Sequence, residues 1–357
     1  MATTAVSSDV RTALGAGIRS RPILVGVAGI GALLLTLILG VGLGSVRIGP
    51  IETIGVILSR TVGLDIGATW TPATEAIVWD LRLPRVLTAM IIGCGLAVAG
   101  ATFQGLLRNP LADPYVLGTA SGAALGAAVA VLLPIHVVLV EFGLLHGLAF
   151  AGALVSAWVV FRLAGTSGSG GLTRLLLTGY AVGSVLAALL TMAMYVSGSE
   201  LRQIFSFLLG GLGGASWTRL LAATPLILAA CLLIVARGRV LDGLLLGDSA
   251  AGHLGFDVRR ERGLLLGLAS MATAAAVAIS GLIGFVGLVV PHVVRLVVGP
   301  SAIRVVPISA ILGAALLSAA DLVARLAGDV PVGVVTSLLG APFFLFLLRR
   351  SRTGYEL

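Results

Sequence analysis

Ser121, His292 and Asp321 are the side chains from which a hydrolytic site could be assembled: a nucleophile, an imidazole base and a carboxylate. Their surroundings argue against it. Ser121 stands in a glycine-rich run with no base or acid beside it. His292 follows Pro291 in GFVGLVVPHVVR, where a lone histidine reads as a packed, hydrogen-bonded residue. Asp321 has Arg325 four positions on, one helical turn, so an ion pair on one face is its first reading. A P-loop and a Schiff-base site both require lysine, and all 23 basic residues here are arginine. Cys94 and Cys231 lie in apolar runs without a ligand cluster, so they read as core residues. The residues therefore predict no catalytic group, no metal ligand and no cofactor bound by this chain, and the chain reads as a non-enzyme.

Two polar segments have more ordered chemistry. The first is the hinge NPLADP, from Asn109 to Pro114, set between two apolar runs. Its prolines fix φ and remove backbone donors, as a moving part or a docking surface would require. Arg82 and Arg85 stand before the first of those runs, and Arg108 closes it. The second is the connection from Arg237 to Arg262, RGRVLDGLLLGDSAAGHLGFDVRRER. Asp248 is expected to cap a short helix over 249–254 that Gly255 ends, and Asp257 to cap a second helix. Two short helices at an angle, with Leu254 and Phe256 between them, predict a compact knob suited to docking a soluble motor.

These segments hang on an apolar framework. The chain of 357 residues is 58% hydrophobic and 11% charged, and its mean hydropathy is +1.12. Soluble domains keep roughly 25% charged residues, so a water-facing globule is excluded. The net charge of +8 is dispersed between apolar runs, which speaks for membrane topology and against nucleic acid. An all-α polytopic membrane protein is expected, with about ten transmembrane helices near 23–45, 86–107, 115–134, 138–161, 175–196, 220–236, 263–280, 283–298, 305–325 and 332–348. The turn between the seventh and eighth falls over 280–285. Most arginines then lie on the side of the two termini, which predicts cytoplasmic tails at 1–22 and 349–357 around one permease domain, 23–348, with the 237–262 loop cytoplasmic. Gly118, Gly122 and Gly126 recur every four residues, a face for close helix packing. Glu141 and Asp321 fall near span ends, and no ionisable group marks a midplane ion site, so an ion-coupled carrier is disfavoured.

The chain resembles the FecCD family of ABC importer permeases, which carry iron–siderophore complexes, haem or vitamin B12. The matching blocks are LRLPR (81–85), AGATFQGLLRNPLADPYVLG (99–118), LGDSAAGHLG (246–255), SGLIGFVGLVVPHVVR (280–295), ADLVAR (320–325) and PVGVVTSLLGAPFF (331–344). The resemblance implies two permease subunits, identical or paralogous, in the plasma membrane of a bacterium. It also implies two separate ATPase subunits that use ATP and Mg, and an extracytoplasmic substrate-binding protein. It implies ATPase coupling through Gly247, Asp248, Ala251, Leu254 and Gly255, and a cytoplasmic gate of Asn109 and Leu111 with Leu172 and Thr173. It implies docking of the binding protein at Arg82, Arg85 and Arg325. Iron(III)–siderophore is the expected cargo because it is the family's commonest, with vitamin B12 or haem as the alternative.

Overall fold

The structure is a computed structural model that describes residues 22–44, 46, 48–63, 70–133, 138–139, 142–164 and 171–351. The N-terminal tail over 1–21, Glu141, the glycine–serine run over 165–170 and the C-terminal residues 352–357 lie outside the described residues. Among the described residues the chain is helical apart from a two-residue antiparallel pair, Val138–Leu139 with Phe142–Gly143.

The described residues form fourteen α-helices in order: α1 Pro22–Gly42, α2 Pro50–Val62, α3 Pro72–Leu106, α4 Thr119–Leu132, α5 Leu144–Ala164, α6 Gly171–Val196, α7 Leu201–Leu209, α8 Trp217–Ala236, α9 Gly238–Leu245, α10 Asp248–His253, α11 Val258–Ser280, α12 Val286–Val298, α13 Ala302–Leu326 and α14 Val332–Ser351. Seven of them (α1, α3, α5, α6, α8, α11, α13) are long and apolar enough to cross a bilayer, and α4, α12 and α14 are shorter apolar helices. These ten correspond in order to the ten expected spans. The amphipathic α2 and the nine-residue α7 were not expected, because neither run reaches the length that marks a span.

The second span differs most from expectation. LRLPR marks its expected boundary, yet α3 runs back to Pro72, where Thr71 accepts a hydrogen bond from the Thr74 amide. Pro84 cannot donate a backbone hydrogen bond, and the helix accommodates it by widening into a π-helical stretch over Ile77–Arg82. The Leu83 amide there donates to the Val78 carbonyl, one residue further back than in an α-helix.

α3 is the central post, packed against α13, α11, α12 and α8, while α4, α5 and α6 form a second packed group. Glycines set the approach. A Cβ on Gly100 would lie 1.8 Å from the Gly287 carbonyl oxygen, and one on Gly93 would lie 2.2 Å from that of Gly313. α4 meets α5 in the same manner, with Gly122 against Gly152 and Gly126 against Leu148. Gly118 meets the same helix, α5, from just before α4 begins. It precedes α4 with φ of 70°, a left-handed conformation that favours glycine, and it lies beside Ser156.

Candidate coupling and hinge site

At one end of the bundle the hinge and the α9–α10 knob form a single connected unit. α3 ends at Leu106, and Arg108 takes a left-handed backbone with φ of 47°. That turn aims its guanidinium along the knob. Arg108 donates from Nε and Nη2 to the Leu244 carbonyl of α9, at 3.1 and 2.9 Å, and from Nη2 to Asp248 at 2.9 Å. Arg262 of α11 donates to the same Asp248 oxygen at 2.7 Å. One carboxylate thus ties together the hinge, α10 and the start of α11.

Asp248 was expected to cap α10. It is instead the first residue of that helix, with Gly247 at the cap position, and no side-chain cap forms. The two arginines supply its carboxylate with charge-assisted donors, which a backbone cap would not match. The Arg262 hydrogen bond, followed by the charges of Arg262 and Arg108, holds its carboxyl below the usual range. A group with a depressed folded pKa stabilises the native state above its unfolded pKa and loses that effect as pH falls through the lowered value. Melting curves should therefore separate wild type from Asp248→Asn above about pH 4 and bring them together in stronger acid. Curves that stay apart in acid would remove the carboxylate from the link.

The rest of the knob is built by glycine and apolar packing. Gly247 and Gly255 have φ of 119° and 85°, and the Phe256 amide donates back to the Ala251 carbonyl at 3.1 Å, closing a Schellman-type end. Ala251 is buried, and the Phe256 ring lies against Gly243. Leu254 is 59% exposed, so the knob presents an apolar side chain outward. Asp257 caps α11 as expected, accepting from the Arg260 amide at 3.0 Å. Asp242 accepts from the Ser301 hydroxyl at 2.8 Å and from the Ala302 amide, fastening α9 to the start of α13.

In the hinge, the Asn109 side-chain oxygen accepts from the Leu111 amide at 2.9 Å, and the Asn109 amide donates to the Gln104 carbonyl. Asp113 caps the 3-10 turn Pro114–Leu117 through the Tyr115 amide at 2.8 Å. Asn109 and Leu111 are half-buried and Thr173 is exposed in the first turn of α6; Leu172 shares that turn, with its backbone alone described. The tight contact with α6 is made by the 3-10 turn after the hinge, where a Cβ on Gly179 would come 2.1 Å from the Val116 carbonyl oxygen.

Arg82, Arg85 and Arg325 gather at the opposite end of the bundle, turned toward the chain's own acceptors. Arg82 is buried and donates to the carbonyls of Val41, Gly42 and Val46. Arg325 pairs with Asp321 at 3.1 Å and donates to the Gly40 carbonyl at 2.8 Å. Arg85 bridges Asp321 at 2.9 Å and the exposed Asp329 at 3.0 Å. The expected Asp321–Arg325 pair is present, and Arg85 completes it. Asp321→Ala would leave the buried Arg325 guanidinium without a carboxylate, with Arg85 keeping only the exposed Asp329, and should cost about 3 kcal/mol. An unchanged melting temperature would contradict that role.

The three residues considered for hydrolysis do not converge. Gln104 of α3 accepts from Arg295 of α12, one turn beyond His292, at 2.7 Å, whereas Arg85 of α3 meets Asp321. Those two positions on α3 are about 28 Å apart at 1.5 Å per residue. No cluster of metal-ligating side chains occurs among the described residues. Sequence reasoning missed Arg108 and Arg262 as partners of Asp248, since no local rule signals a bond across 140 residues for the one or 14 for the other.

Comparison with known proteins gives a consistent result. The family model of the FecCD transport family matches residues 32–350. The cobalamin import system permease protein BtuC of Halobacterium salinarum is 46% identical over 276 residues, covering 77% of this chain and 74% of that protein. The hemin transport system permease protein HmuU of Yersinia pestis is 40% identical over 329 residues, covering 89% of this chain and 95% of that protein. A solved structure described as an inward-facing conformation of a metal-chelate type ABC transporter superposes with a TM-score of 0.79 at 27% identity, covering 91% of this chain and 98% of the other.

Proposed function

Because the chain belongs to the FecCD transport family, we propose that it forms half of the channel of an ATP-driven importer for a metal tetrapyrrole, cobalamin or haem. It is a multi-pass membrane permease of the ABC importer type, and the finer reading concerns its cargo, orientation and partners. The observation that carries the mechanism is the shared Asp248 carboxylate, which makes the knob and the hinge one mechanical unit.

In this reading the knob faces the cytoplasm and both termini lie on that side of a prokaryotic plasma membrane. Separate ATPase subunits, which bind ATP and Mg, grip α10 at Gly247, Ala251, Leu254 and Gly255. Closure of the ATPases displaces α10, and Arg108 and Arg262 carry the movement to the hinge and to α11. Asn109 and Leu111 then shift relative to Leu172 and Thr173, changing access to the channel between this chain and a second permease copy. On the outer face a binding protein docks through carboxylates that compete with Asp329 for Arg85, while Arg82 and Arg325 brace the platform from below.

The cargo reading rests on the named substrates of the two relatives. The expectation of an iron(III)–siderophore came from family frequency alone, and neither of those names supports it. Uptake of labelled cobalamin, haem and ferric siderophore should be compared in cells lacking this chain, with and without its restoration. Loss and recovery of cobalamin or haem uptake is the expected result. Loss confined to the siderophore would overturn the tetrapyrrole assignment.

A further inference from the structure

A basic pocket on the side of the bundle lies apart from the coupling unit. α5 and α11 pack together, and between the last turn of one and the first turn of the other is a cavity of about 470 Å³. Arg162 closes it from α5, Arg259 and Arg260 from α11, and Phe161 and Leu264 supply apolar wall. Asp257 also lines it, with one carboxylate oxygen engaged in capping α11. Among the described residues, none of the three arginines has a carboxylate partner, whereas Arg237 and Arg262 nearby are paired with Glu261 and Asp248. Three guanidinium groups against the single Asp257 carboxylate leave the concavity net positive and suited to an anion, and the guanidinium fork matches phosphate.

The surroundings specify where that anion comes from. α5 is a 21-residue membrane-length helix, so its last turn lies at headgroup depth. Val155, Trp158 and Leu163 on the same helix are exposed, and the Arg162 guanidinium lies 6.0 Å from the centre of the Trp158 ring. Tryptophan marks the membrane–water boundary, and apolar side chains next to it offer a surface for acyl chains. A soluble phosphate would have no use for that wall. We infer that this pocket binds the phosphate headgroup of an anionic glycerophospholipid from the cytoplasmic leaflet. The leaflet assignment rests on the orientation proposed above. A lipid there would fix the start of α11, the helix whose Arg262 holds Asp248.

The test uses the full chain purified in neutral detergent, without ATPase or cargo, so its outcome is independent of the importer reading. Native mass spectrometry after titration with phosphatidylglycerol or phosphatidylcholine reads bound lipid directly. One phosphatidylglycerol per chain should be retained with about tenfold preference. The triple variant R162Q/R259Q/R260Q should bring the two lipids to parity, and R239Q, at another exposed arginine, should not. Equal retention of both lipids by the wild type would overturn the proposal, and this arm needs no variant to fold. Undiminished preference in the triple variant would overturn it as well. Displacement of the lipid by glycerol 3-phosphate at equal concentration would identify a soluble phosphate as the ligand instead. A triple variant that keeps its lipid but no longer associates with the ATPase would assign the arginines to the motor interface.

Discussion

Leu254→Asp should sharply reduce cargo uptake while the membrane domain stays folded. Leu254 ends the knob with its side chain exposed, above a buried Ala251 and beside Phe256. Nothing inside the chain depends on it for burial, so a carboxylate is tolerated by the isolated subunit. In contact with the ATPase the same carboxylate would be desolvated without a partner, at a cost of several kcal/mol. That corresponds to a loss of ATPase affinity of about a hundredfold or more, and uptake should fall with it. Uptake assays combined with co-purification of the ATPase check the result, and Leu254→Met serves as the conservative control. Normal coupled transport by Leu254→Asp would remove the knob from the coupling path.

The second large effect is on stability. Gly100→Ala places a methyl carbon 1.8 Å from the Gly287 carbonyl oxygen and 2.5 Å from its carbonyl carbon. These are backbone atoms in two packed helices, so no side-chain rotation relieves the clash and α3 and α12 must separate. Overpacking of this kind costs about 3 kcal/mol or more. Gly31→Ala is the matched control, because a Cβ there meets nothing within 4 Å. Thermal melts in detergent should place Gly31→Ala beside the wild type and Gly100→Ala well below it. Equal melting temperatures for all three would mean that α3 and α12 do not approach as described.

Much of the architecture was readable from hydropathy because a bilayer imposes length. Each of the ten expected spans has its helix, and even the short turn before α12 falls at Gly281–Phe285. What escaped was whatever lacks that length signal. α2 is 13 residues long and α7 nine, and their apolar faces are too brief to register as spans. LRLPR misled for a different reason. Arginine and proline ordinarily close an apolar helix, but Arg82 finds three backbone carbonyls and Pro84 is absorbed by a π-helical stretch.

The site shows the same division between local and distant chemistry. Asp257 and Gly255 follow local rules of capping and helix termination, and both hold. Asp248 obeys the same local rule on paper yet departs from it, because Arg108 and Arg262 arrive from elsewhere in the chain. The arginines at the opposite end of the bundle repeat the lesson. Spacing placed Arg325 beside Asp321, but only the fold shows Arg85 completing the cluster from 236 residues away.

The central claim is that this chain is a permease subunit of an ATP-driven importer rather than a transporter that works alone. The direct measurement is accumulation of labelled cobalamin or haem in proteoliposomes containing this chain, its ATPase and its binding protein. Accumulation should require all three together with ATP on the ATPase side. It should collapse when the ATPase is omitted or ATP is replaced by a non-hydrolysable analogue. Equal accumulation by this chain alone, without ATPase or nucleotide, would contradict the account.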